Sequence, residues 1–328
     1  MSVSCSECFS DLLCGEDSGI LLADLPECLS SELESPADLE ESIAGFMEDE
    51  RNYLPGIDYL RRFQSQSLDV SVREEYVAWI LKVQAYYGFQ PLTAYLSVNY
   101  FDRFLCSRRL PQTNGWLLQL LSVACLSLAA KMEEPLVPSL LHLQVEGAKF
   151  IFEPRTIRRM ELLVLRVLDW RLRSITPFSF IGYFAYKLDP TGSFSGFLIS
   201  RATQIILSNI RETSLLEFRP SCAAAAAMLC AAHYLPDFSL ANPAHAESWC
   251  EGLSKEKIIS CYQLLQDNAN HNSGRSPPKV LPQLRVMTRA KIGSGDSSYL
   301  SSSSSSSSHK RRKLNNSLWV DDAKGSSD

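Results

Sequence analysis

The feature that most limits what this chain can fold into is residues 116–131, which read WLLQLLSVACLSLAAK. As a helix this segment is apolar on nearly every side, so it has no face to offer water. Small residues run through it at Ser122, Ala124, Ser127, Ala129 and Ala130, and small side chains let neighbouring helices come close. The segment predicts a hub helix with other helices packed around it, and hence an all-α domain.

The flanking sequence supplies those neighbours. Ser71-Val72-Arg73-Glu74 has the form of a capping box, with the serine capping and the glutamate reaching back. Val72, Tyr76, Trp79 and Val83 then recur at helical spacing, so a helix is expected up to Gly88. Pro91 suits the first turn of a second helix, which continues through Ala94, Val98, Phe101 and Leu105. After the hub, Pro135 and Pro138 mark a stop, a short helix is expected around 140–145, and a fifth runs from about 154 to 170. The same order then recurs. Thr176-Pro177 offers a cap and a first-turn proline, amphipathic stretches follow at 178–188 and 197–211, and a second small-residue hub at 222–232 contains five consecutive alanines. A duplicated helical unit is the economical reading. The expected fold is all-α, with one box at 42–174 and another at 175–268. Residues 1–41 are acidic and Ser-rich and are expected to form a disordered arm. Residues 269–328, with an unbroken serine run at 301–308, are expected to form a disordered tail.

A chain of 328 residues, 45% hydrophobic, is long enough for two domains with their own cores. No apolar run approaches the roughly 18 to 20 residues of a membrane span, and the first residues lack the basic start and apolar run of a signal peptide. The expectation is an intracellular protein with no membrane partner. Ten cysteines would point to disulfides in a small secreted domain. Here Cys125, Cys222, Cys230 and Cys261 fall inside apolar helical segments and read as reduced, buried thiols. A net charge of -5 argues against a nucleic-acid partner, which needs a concentrated basic face. The charge is uneven, however. Residues 1–50 hold fourteen Asp or Glu and no Lys or Arg, while Lys310, Arg311, Arg312 and Lys313 cluster near the other end; such asymmetry marks tails that meet other molecules.

Four segments occur between residues 72 and 170 in an order and spacing similar to the cyclin box. They are Val72-Arg73 with Trp79-Ile80-Leu81-Lys82-Val83; Asn99-Tyr100-Phe101-Asp102-Arg103-Phe104-Leu105; Leu128-Ala129-Ala130-Lys131-Met132-Glu133-Glu134; and Arg159-Met160-Glu161-Leu162-Leu163 leading to Asp169-Trp170. With Thr176-Pro177-Phe178 and a short motif in the arm, the chain resembles plant D-type cyclins. The resemblance implies two five-helix boxes in tandem. It also implies a regulatory subunit, not an enzyme, that activates a cyclin-dependent kinase at the G1/S transition and directs it to retinoblastoma-type proteins.

The resemblance gives roles to particular residues. On periodicity alone Lys131 reads as a cation offsetting a helix C-terminus and Glu161 as part of a solvated face; the family uses this pair to grip the kinase. Arg73 and Asp102 sit in apolar helical surroundings, and the family makes of them a buried structural ion pair. Leu12-Leu13-Cys14-Gly15-Glu16 fits the Leu-x-Cys-x-Glu form that docks on retinoblastoma-type proteins. In an extended segment Leu12, Cys14 and Glu16 share one face. Val72, Tyr76 and Trp79 read either as core packing or as a substrate groove, and Glu75 departs from the aliphatic residue many cyclins have there. Lys310 to Lys313 read as a nuclear import signal, giving a nuclear protein with room for a cytoplasmic pool. Ser276-Pro277-Pro278-Lys279 fits a phosphosite for such kinases at Ser276. Kinase inhibitor proteins are further expected partners.

No catalytic residue, cofactor or metal is expected. Cys5 and Cys8 are spaced like a zinc pair, but no second Cys or His pair follows at zinc-finger spacing, and no phosphate-binding glycine loop, nucleophile elbow or metalloprotease signature is present. The alternatives are a cyclin-fold transcription regulator, which needs a basic face on a box, and a cyclin of the transcriptional kinases, which should lack the arm motif.

Overall fold

The computed structural model describes residues 36–65, 69–108, 110, 115–144, 147–238 and 246–272. Among them every regular element is a helix. The first hub is α5, Gly115–Glu133, and every residue from Leu117 to Ala130 in it is buried. Packed around it are α3, Val70–Tyr87; α4, Pro91–Ser107; the short α6, Leu140–Leu143; and α7, Pro154–Val167. The second hub is α10, Pro220–Ala232, and among its residues only Ala223 is not fully buried. Around it lie α8, Phe178–Leu188; α9, Ser195–Asn209; and α11, Lys255–Asn272. Among the described residues this second unit has four α-helices, with 3-10 turns at Thr213–Glu217, Pro236–Phe238 and Glu247–Trp249. Each hub sits in its own apolar cluster, and Tyr95 of α4 packs against both.

Local chemistry fixes most boundaries as the sequence suggests. Gly88 ends α3 in the left-handed region at φ 68°, where only glycine is unstrained. Prolines open α4, α7 and α10 in the first turn. Three expectations need correction. The α3 cap is Asp69, whose carboxylate accepts from the Ser71 backbone N–H at 2.8 Å, so Ser71 lies inside the helix and is not its cap. The arm is not irregular up to residue 41, because helix α1 spans Pro36–Asp49. And one helix is long enough to cross a membrane: α5 has 19 residues and a mean hydropathy of 1.5. That window is 78% buried inside the protein, as a hub enclosed by helices must be.

Helix α1 straddles the start of the first box in sequence but packs on the second. Ile43 and Met47 join the apolar cluster around α10, and Lys187 of α8 pairs with Glu40 at 2.7 Å. A 3-10 turn, Glu50–Tyr53, and α2, Ile57–Gln64, then lead back to the first box. Glu50, fully buried, accepts from both the backbone N–H and the hydroxyl of Ser221, each at 2.8 Å. The carboxylate thus satisfies donors in the first turn of α10, where helices prefer negative charge. Burial pushes the Glu50 carboxyl above its ordinary range, and the Ser221 bonds offset only part of that.

Candidate functional site

Two of the ion pairs in the first box join elements far apart in sequence and bear on the site. Lys131 lies in the last turn of α5 and Glu161 in α7, and the Nζ to Oε1 distance is 2.7 Å. Glu161 is buried, its side chain 8% exposed, on the flank of α7 that meets α5; the Lys131 side chain is 45% exposed. The carboxylate therefore positions the lysine, while the ammonium keeps donors toward solvent. The last turn of α5 exposes Met132, and the stretch joining α5 to α7 exposes Leu136, Val137, Leu141, Phe150 and Ile151, with Leu136 84% and Ile151 69% open. A half-open charged pair followed in the chain by exposed apolar side chains has the composition of a protein-docking surface.

Arg73 and Asp102 are enclosed instead. Their side chains are each 2% exposed and meet in a two-pronged bond, Nε to Oδ1 and Nη2 to Oδ2, both at 2.8 Å. Tyr59 of α2 donates to Oδ1 at 2.8 Å. The other edge of the guanidinium crosses to the second box, where Nη1 donates to the Arg211 carbonyl at 2.7 Å and Nη2 to that of Ile210 at 3.3 Å. Burial works against the charge of Arg73, but Asp102 more than offsets it and holds the guanidinium above its ordinary range. For Tyr59, burial and then the Asp102 charge push the phenol well up.

The rest of the α4 motif holds the connection between boxes. Tyr100 donates to the Leu172 carbonyl at 2.6 Å. Arg103 donates to the Arg171 carbonyl at 2.9 Å and the Ser174 hydroxyl at 3.0 Å, and that hydroxyl donates to Asn99 at 2.8 Å. The connection begins at Asp169 and Trp170, both left-handed with φ of 50° and 60°, a backbone that non-glycine residues adopt only where the surroundings enforce it.

Of the two readings of Val72, Tyr76 and Trp79, the structure gives Tyr76 and Trp79 a packing role. Both are 8% exposed in the first core, and Val72 packs half-buried beside them. Tyr76 donates to the Gly115 carbonyl at 2.7 Å, and burial, with the Glu75 charge adding, pushes its phenol to about 12. Glu75 is exposed and pairs with Lys149 at 2.5 Å. Cys125, Cys222, Cys230 and Cys261 are free buried thiols, as expected from their setting. Leu12, Cys14, Glu16, Ser276, Lys310, Arg311, Arg312 and Lys313 lie outside the described residues, as do Cys5 and Cys8.

Several working residues escape sequence reasoning. Tyr59, Glu50 and Ser221 act across chain separations of 43 and 171 residues, and no local pattern marks them. Glu134 accepts from the Gln90 N–H at 2.7 Å and from the Thr93 hydroxyl, capping α4 from beyond the end of α5. The Leu-Ala-Ala-Lys-Met-Glu-Glu run contains that residue without revealing its target.

Residues 41–173 match the cyclin N-terminal domain and residues 175–290 the cyclin C-terminal domain. The chain belongs to the cyclin family, whose members are regulatory subunits of kinases and not enzymes themselves. Within that family it is similar to plant D-type cyclins. It is 60% identical to Cyclin-D1-1 of Arabidopsis thaliana, over all of this chain and 96% of that protein. It is 50% identical to Cyclin-D2-1 of Oryza sativa subsp. japonica, over 81% of this chain and 86% of that protein. The fold is also that of a viral cyclin from herpesvirus saimiri, with a TM-score of 0.53 at 16% identity, covering 62% of this chain and 86% of the viral one.

Proposed function

We propose that this cyclin binds and activates a cyclin-dependent kinase through Lys131 and Glu161, acts at the G1/S transition, and brings the kinase to retinoblastoma-type proteins through its arm. The observation that carries the kinase interface is the half-open 2.7 Å pair, followed in the chain by exposed apolar residues. An ammonium and a carboxylate held side by side can take carbonyls and N–H groups of a partner's mobile helix in charge-assisted bonds. Fixing the kinase C-helix inward lets its glutamate pair with the phosphate-binding lysine, which completes the kinase site. The exposed apolar residues supply the buried area.

Docking of the substrate falls to Leu12, Cys14 and Glu16, entering a groove as an extended segment, with Asp11 and Asp17 favouring a basic rim. Lys310 to Lys313 serve nuclear import, Ser276 is a site for feedback phosphorylation, and kinase inhibitor proteins compete for the assembled complex. The test uses two substrates with the reconstituted kinase. Cys14→Ala with Glu16→Ala should keep full activity on a generic peptide, lose binding to a retinoblastoma-type pocket, and lose activity on that protein as its effective concentration falls. Equal loss on both substrates would place the arm in the kinase interface, and loss on neither would remove the docking role.

A further inference from the structure

The outer face of α7 carries a stripe of arginines. Arg155, Arg158, Arg159 and Arg166 stand at i, i+3, i+4 and i+11, which at 3.6 residues per turn places them in one sector of the helix. Leu162 lies in the middle of that sector and is 60% exposed. Arg155, Arg158 and Arg159 are exposed, and their side chains make no hydrogen bond or ion pair among the described residues. The one acidic residue of α7, Glu161, is turned away to Lys131. Like charges three and four residues apart weaken a helix, so Arg155, Arg158 and Arg159 are held together against their own repulsion. Exposed Arg171 and Arg173 continue the charge beyond the helix, with Trp170, 69% exposed, beside them. The arginines are spread over twelve residues of sequence and come onto one face only once the helix is formed.

The chain carries a segment of opposite character. Residues 1–35 contain eight acidic side chains, at positions 7, 11, 16, 17, 24, 27, 32 and 34, and no Lys or Arg. Phe9, Leu12, Leu13, Ile20, Leu21 and Leu22 are interleaved with them. Charge and apolarity therefore both match the stripe, where Leu162 and Trp170 sit among arginines. A nucleic-acid backbone would match the charge alone, and the net charge of -5 would repel it. The described chain starts at Pro36, and 35 residues extend to roughly 115 Å at about 3.3 Å each. A folded body of this size has a radius of gyration of only about 18 Å, so the tether does not limit the contact and raises the local concentration of the arm to about millimolar.

We propose that the acidic arm, residues 1–35, docks back on the α7 arginine stripe. The contact holds Asp11, Glu16 and Asp17 in the field of the arginines, so any basic-rimmed partner of the arm must compete with the protein's own α7. It goes beyond the kinase reading and stands whether or not the arm docks a substrate.

The test is nuclear magnetic resonance on the isotope-labelled full chain. In the wild type at about 0.1 M salt, amide signals of residues 1–35 should be shifted and broadened; at about 1 M salt, where the screening length falls from about 10 to about 3 Å, they should sharpen and move to free-peptide positions. Arg155→Glu with Arg158→Glu and Arg159→Glu should release them already at low salt. Circular dichroism and unchanged core signals check the fold, and the milder triple change to Gln gives the same comparison if charge reversal prevents folding. Arm signals that respond neither to salt nor to the stripe variants overturn the proposal. So does a short DNA duplex that shifts α7 signals while the arm ignores the variants, since the face would then belong to nucleic acid.

Discussion

Arg73–Asp102 and Lys131–Glu161 are ion pairs of nearly equal length in the same box, at 2.8 and 2.7 Å, yet they do different work. Arg73 directs its donors at Asp102 and at two carbonyls of the second box, and both side chains are almost wholly buried. Lys131 has three donors, spends one on Glu161, and stays 45% exposed. Distance does not separate the two roles; enclosure does. A sealed pair gains strength from the low local dielectric and leaves a stranded charge when broken. A half-open pair contributes little to folding and keeps bonding capacity for a partner.

The sharpest way to break this contrast is at Asp102. Asp102→Ala leaves Arg73 buried without its counter-charge and Tyr59 without its acceptor, and should lower folding stability by about 3 to 5 kcal/mol, read from the denaturant midpoint at unchanged slope. A cost under about 1 kcal/mol would mean that the site fills with water and is not sealed. Tyr59→Phe removes one donor to the same carboxylate and should cost about 1.5 to 3 kcal/mol. If Tyr59→Phe is silent in the Asp102→Ala background but not in the wild type, the two act as one network.

A third variant extends the contrast to the second box. Glu50→Ala removes the acceptor for Ser221 at the start of α10 and should cost about 1 to 2 kcal/mol. Because burial raises the Glu50 carboxyl, the folded protein keeps a proton that the unfolded chain has released. The contribution of this residue is then fullest below the ordinary carboxylate range and falls as pH rises through the raised value. A stability-against-pH curve should lose that downward step in Glu50→Ala, and an identical step in both proteins would assign it to another group.

Much of the fold is written locally. The enclosed character of α5, the glycine at 88, and the prolines at 91 and 154 act within one helix turn, and each appears where the sequence puts it. The α3 cap is misread because Asp69 and Ser71 are both cap formers two residues apart, and the choice depends on how α3 meets its neighbours. The site is legible in a different way. Nothing local joins Arg73 to Asp102 or Lys131 to Glu161 across separations of 29 and 30 residues; the family resemblance brings them together, and the geometry shows what each can do. Tyr59 stays hidden because its partner is set by how α2 packs on α4, and Glu50 and the carbonyls of Ile210 and Arg211 because theirs are set by the packing of one box on the other.

The account rests on the claim that Lys131 and Glu161 serve a partner and not the fold, and one paired measurement tests it most directly. Lys131→Ala with Glu161→Ala should be compared with wild type for denaturant stability and for activation of the co-purified kinase in the same preparation. The account predicts a stability change below about 1 kcal/mol, because removing both charges strands neither of them, together with loss of kinase activation. Full activation by the double variant, or a loss of stability as large as that of Asp102→Ala, would contradict it.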